Sequence, residues 1–169
     1  MIRQLTDLAL IILAMVTLTG VVLIAPTPAS AEGATKISGT ALDGTDMCDY
    51  ETDGVDEPTI FPLYFPEDEG VYGCLYSYAE SVDESPSGTI REKGHEIFVS
   101  HDPDNPGTFE STYLFTLKLD ENGNELWGRC QHPIIAGTGT GVYEGVTGRI
   151  DIKDDLEAGN FPYKGHLQW

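Results

Sequence analysis

From Phe109 to Leu119 the odd positions Phe109, Tyr113, Phe115, Leu117 and Leu119 are apolar, whereas Glu110, Thr112, Thr116 and Lys118 are polar. A period of two is that of a β-strand with one buried and one wet face. The polar segment Asp120 to Gly123 follows, and its Asn-Gly pair is the strongest short hairpin signal. The return strand, Glu125 to Gln131, is predicted to carry Leu126, Gly128 and Cys130 on one side and Trp127 and Arg129 on the other. Val142 to Lys153 alternates Val146, Gly148, Ile150 and Ile152 with Thr147, Arg149, Asp151 and Lys153. Phe161, Tyr163, Leu167 and Trp169 mark a last strand.

Upstream the pattern is looser. Ala34 to Ala41 reads as a strand with Ile37, Gly39 and Ala41 on one face, and Asp43 to Glu57 as an acidic loop. Ile60 to Phe65 is apolar but interrupted by Pro62 and followed by Pro66, which suits an edge strand or an extended lid. Val71 to Ala79 places Tyr72, Cys74, Tyr76 and Tyr78 on a common face; Ser81 to Gly88 is a loop. Thr89 to Ser100 is a strand expected to bend at Gly94, and His101 to Gly107 is a loop. Seven or eight short strands with short connections predict an all-β, antiparallel barrel or sandwich. A barrel would remove the exposed edges.

Residues 1–31 stand apart. Arg3, an apolar run from Leu8 to Ala25 and the small-residue end Ala29-Ser30-Ala31 have the order of a secretory signal peptide cleaved after Ala31. The alternative is an N-terminal membrane anchor, since the run is close to the roughly 18 apolar residues that suggest a span. Residues 32–169 then form one domain, with an acidic, loop-rich part over 32–70 and the main barrel strands over 71–169. The expected product is secreted and has no membrane span once processed.

The chain has 28 acidic residues against nine Lys and Arg, a formal charge of −19. Such a surface repels phosphate and excludes nucleic acid and anionic membrane as partners. The acids are spread over many loops, which suits solvation in a salty medium. Asp49, Glu51 and Asp53, with Gly54 after them, approximate the first half of a calcium loop. Ile60 stands where the bidentate glutamate belongs, so a solvated acidic loop competes with a Ca²⁺ site; no other cofactor is suggested. Three cysteines in an exported chain imply one disulfide and one spare thiol; Cys48–Cys74, which would close the acidic segment onto the first strands, is favoured over Cys74–Cys130. His132, two residues from Cys130, would partner it were that thiol catalytic; a half-buried strand cysteine is the rival identity. His95, His101, His132 and His166 lack paired zinc spacing, and the glycines from Gly137 to Gly141 lack the spacing of a dinucleotide fingerprint.

Thr108 to Phe115, Glu125 to Pro133 and Gly145 to Asp151 together resemble secreted bacterial proteins of the allene oxide cyclase-like barrel superfamily. Tyr143 to Gly148 is similar to the glycine-containing strand of plant dirigent proteins. The resemblance spans Thr89 to Leu167 and implies an eight-stranded antiparallel barrel with a cavity open at one end. Members with known roles bind apolar small molecules and steer their cyclisation or coupling. The cyclase's catalytic residues do not map onto this chain position by position.

A small barrel encloses at most one ligand. Tyr76, Tyr78, Tyr113 and Phe115 are the candidate apolar walls, and Arg129 and Asp151 the candidate polar contacts. Glu96 is the candidate catalytic group, a carboxylate that burial beside Phe98 would bias toward proton exchange. Three functions fit: a binding module for a small, largely apolar ligand; a cofactor-free cyclase or isomerase using that carboxylate; and a non-catalytic cell-envelope protein. In the last, the aromatics fill a solid core and Glu96 pairs with Arg129 or Arg149 at the rim.

Overall fold

The computed structural model describes residues 33–67 and 70–169, so the leader expected over residues 1–31 lies outside the described residues. Eight antiparallel strands close into a barrel in simple sequence order. They are β1 (Thr35–Asp43), β2 (Leu63–Phe65), β3 (Gly73–Glu84), β4 (Thr89–Ser100), β5 (Thr108–Leu119), β6 (Glu125–Pro133), β7 (Thr147–Lys153) and β8 (Phe161–Gln168). Closure comes from β1 pairing with β8, Ile37 opposite Gly165. No described helix is long and apolar enough to cross a membrane.

β1 and β2 lie within the acidic N-terminal part, which therefore supplies two staves of the barrel. Between them runs a strap, residues 44–62, containing one helical turn, α1 (Tyr50–Asp53). It lies along the outer face of β3. A Cys48–Cys74 disulfide ties it there, together with Tyr78 Oη donating to the Asp56 carbonyl at 2.7 Å and the Ala79 amide donating to Thr59 Oγ1 at 2.7 Å.

The interior has two halves. At one end Phe65, Phe98, Phe109, Tyr143 and Tyr163 interlock: Phe98 stacks on Phe109 at 4.8 Å, and Tyr143 meets both rings edge-on. Such offset and edge contacts are preferred by aromatic quadrupoles. The β6–β7 connection covers this end. It extends the sheet beside the start of β5, where Thr138 and Thr140 hydroxyls accept from the Glu110 and Thr108 amides, both at 3.0 Å. The other end, where β1, β3, β5 and β7 finish, stays open.

Candidate functional site

A cavity of about 570 Å³ occupies the open half. Alternation decides its walls. On β5 the inward residues are Phe109 and Ser111 toward the plug, then Tyr113, Phe115 and Leu117 in the cavity wall; on β4 they are Phe98, then Glu96 and Glu92. Gly94, between these two acids and paired with Tyr113, leaves the space that ring occupies: a Cβ there would meet the Tyr113 ring and the Tyr78 carbonyl. On β6, Cys130 and His132 face in. Phe61 from the strap and Phe161 from β8, 5.8 Å apart, flank the mouth with Leu156 of the β7–β8 loop.

The floor between cavity and plug is polar and almost fully enclosed. Glu96 is 1 % exposed and His132 3 %. Ser77 Oγ donates to Glu96 Oε1 at 2.8 Å, and Ser111 Oγ donates to Oε2 at 2.8 Å. His132 Nδ1 lies 2.7 Å from the same Oε2. With Glu96 as a carboxylate, Nδ1 carries the proton and donates, which fixes the ring tautomer. His132 Nε2, on the far side of the ring from Glu96, is buried and has no protein partner. Buried polar atoms are rarely left so, and each such exception calls for a physical account.

Higher in the wall, Tyr113 Oη donates to Glu92 Oε1 at 2.6 Å. Burial, helped by the Glu92 hydrogen bond, pushes the Tyr113 phenol well above its ordinary range. Burial also pushes the Cys130 thiol up, reinforced by the charges of Glu96 and Asp154. Neither group is an anion at neutral pH, so a nucleophilic Cys130 thiolate is not supported despite His132 sharing its wall. At the mouth, the carboxyl groups of Glu125 and Asp154 crowd together over Gly128, where a Cβ would collide with Asp154. Burial and the hydrogen bond with Asp154 push Glu125 up to about 7.

Of the residues singled out from the sequence, Glu96, Tyr113 and Phe115 line the cavity together. Tyr76 and Tyr78 share a face, as expected, but it is the outer one. Tyr76 Oη donates to Asp53 Oδ2 beneath the strap, and Tyr78 stacks on His95 at 4.9 Å. Leu75 and Ser77 take the inward positions instead. Arg129 and Asp151 also face out: Arg129 lies over the Trp127 ring, and Asp151 accepts from Arg149 at 2.9 Å. Glu96 meets neither arginine.

Leu126, expected inside, is exposed. The register shifts so that Leu119 pairs with Glu125 while Lys118 pairs with Trp127, and this bulge turns Glu125 inward in place of Leu126.

In the acidic loop, Asp49, Glu51 and Asp53 do not converge. Asp49 caps α1, accepting from the Glu51 and Thr52 amides at 3.0 and 3.1 Å. Asp53 Oδ2 takes the Tyr76 hydroxyl and lies 2.9 Å from His101 Nε2. Among the described residues, the only three potential ligands whose ligating atoms lie within 4.8 Å of one another are Asp53, Cys74 and His101, and the Cys74 sulfur belongs to the disulfide.

Ser77, Ser111, Glu92, Glu125 and Asp154 were not anticipated as site residues. Strand parity was the available signal for Glu92, four residues from Glu96, and for Ser111, two residues from Tyr113. No signal pointed to Glu125, because a bulge is not visible in the alternation. No family model, curated protein or solved structure matches this chain.

Proposed function

We propose that this is an exported barrel of the allene oxide cyclase-like and dirigent-like kind that binds one small, largely apolar molecule in its open half. The observation that carries the reading is the division of the interior. Aromatic packing fills one half densely, yet the other holds a cavity of about 570 Å³ whose walls combine aromatic and aliphatic side chains with convergent polar groups. Pockets of this size and lining are the usual form of small-molecule sites. A protein whose barrel served only as an envelope spacer would gain stability by filling that volume.

Fluorescence titration with 1-pyrenemethanol, a neutral four-ring probe, tests this reading. Saturable one-to-one binding is expected, lost in Leu117→Trp, which fills the cavity, and kept in Leu114→Trp, which adds the same ring to the outer face. Absence of saturable binding, or equal loss in both variants, contradicts the proposal.

A second reading, cofactor-free cyclisation or isomerisation, is favoured by the Glu96–His132 pair. With Nδ1–H anchored on Glu96, Nε2 is left as a base able to take a proton from a bound molecule and return it at another atom. Glu96 would act through His132 as a positioning residue, its own oxygens being engaged by Ser77, Ser111 and His132.

A further inference from the structure

The acidic and basic chemistry of the cavity is one-sided. Six carboxyl groups line it, from Asp43 on β1, Glu92 and Glu96 on β4, Glu125 on β6, and Asp154 and Asp155 in the β7–β8 loop. No lysine or arginine is found among the described residues that line it. The hydroxyl donors are already spent: Ser77 gives its hydrogen to Glu96, and Tyr113 gives its own to Glu92. Two buried polar atoms are left over. His132 Nε2, an acceptor in the neutral ring whose Nδ1–H faces Glu96, and Glu125 Oε1 are both enclosed and meet no hydrogen-bond partner.

Low-dielectric walls strengthen the field of those carboxylates inside the cavity. A neutral ligand without an O–H or N–H would leave those buried atoms unsatisfied, one with such a group would leave the carboxylate charge uncompensated, and an anionic one would be repelled. We infer that the occupant is an organic cation, an ammonium with at least one N–H carried on an apolar body, whose N–H is received by His132 Nε2 while the carboxylates lining the cavity attract its charge. The inference rests on the cavity being a binding site. The rings of Phe61, Tyr113, Phe115 and Phe161 suit both parts of such a molecule, since aromatic faces attract cations and cover hydrocarbon alike. The Glu125–Asp154 contact fits the same picture. Burial and the hydrogen bond with Asp154 keep a proton on Glu125 up to about pH 7, and an ammonium reaching these two carboxyls would favour their ionised forms.

The test compares three probes with one body, 1-pyrenemethylamine, 1-pyrenemethanol and 1-pyrenecarboxylate, at pH 7.5 and in 0.5 M sodium chloride. That salt screens attraction to the acidic outer surface to within a few ångströms. The ammonium should bind at least tenfold more tightly than the alcohol, and the carboxylate should show no saturation. The ammonium-to-alcohol ratio should fall at least threefold in the double variant Glu125→Gln/Asp154→Asn. Equal or tighter binding of the alcohol overturns the inference and leaves the binding reading standing, whereas failure of all three probes defeats the binding reading itself. Displacement of the ammonium by millimolar calcium, beyond the effect of sodium at equal ionic strength, also overturns it, because the carboxylates would then be serving a divalent metal.

Discussion

Replacing Glu96 by alanine removes the acceptor for three buried donors at once: the hydroxyls of Ser77 and Ser111 and the Nδ1–H of His132, at 2.8, 2.8 and 2.7 Å. Each buried donor left without a partner costs about 1–3 kcal/mol. The two serine hydroxyls can rotate toward other acceptors, and the cavity beside them admits water, so the sum falls at the lower end, about 3–6 kcal/mol. That is a large part of the roughly 5–15 kcal/mol that holds a domain folded. Glu96→Gln keeps one carbonyl oxygen for Ser111 and His132 and presents an amide that the Ser77 hydroxyl can accept from, so its cost should stay near about 1–2 kcal/mol. Urea unfolding followed by far-UV circular dichroism measures both, with the slope against urea confirming that the unfolded state is unchanged. A loss below about 1 kcal/mol for Glu96→Ala, or equal losses for both variants, would refute the claim that this carboxylate organises the barrel floor.

Glu125 holds its proton more tightly folded than unfolded, so the native state binds more protons between the ordinary glutamate range and about pH 7. Its contribution to stability is therefore full at low pH and lost as pH rises through that window. Melting curves of wild type and Glu125→Gln should run together below pH 4.5 and separate above pH 7, the variant being the more stable; curves parallel throughout would contradict the crowding of Glu125 and Asp154. The Cys48–Cys74 link joins residues 26 apart, and its loss in the Cys48→Ser/Cys74→Ser variant should cost about 3.5 kcal/mol by loop-closure entropy, read from urea midpoints. A cost near zero would mean that the strap is held by its hydrogen bonds alone. The charge of −19 predicts a melting temperature that climbs with sodium chloride as surface repulsion is screened, and a flat profile would exclude self-repulsion as a significant term.

The all-β class and the later strands were readable because β4 to β6 each expose one face to solvent, which writes a period of two into the sequence. Thr89–Ser100 was delimited to the residue. Legibility failed where a strand is covered on both sides. From Gly73 to Ser77 every residue of β3 is buried, because the strap lies on its outer face. Aromatic Tyr76 and Tyr78 then look like the inner set, while Leu75 and Ser77 occupy it. The strap is tied by the Cys48–Cys74 disulfide, the pairing favoured from the sequence, but a pairing alone does not say which face of β3 the strap covers. Glu96, Tyr113 and Phe115 were found because they lie on regular strands. Glu125 was hidden by the bulge beside Leu126, and the Glu96–His132 contact joins β4 to β6 over the intervening β5, a pairing that no local spacing encodes. The aromatics weighed from the sequence as core filler or pocket wall divide otherwise: Tyr113 and Phe115 line the cavity, Tyr76 and Tyr78 lie outside, and Phe98, Phe109 and Tyr143 fill the closed half.

The most direct test of a binding cavity uses the alternation of β5, where Phe115 and Leu117 line the open half while Leu114 and Thr116 face the outside. Isotope-filtered NMR of the labelled protein with unlabelled 1-pyrenemethanol should give intermolecular nuclear Overhauser effects to Phe115, Leu117 and Ile152. Effects confined to Leu114 and Thr116, or none at saturating probe, would contradict it.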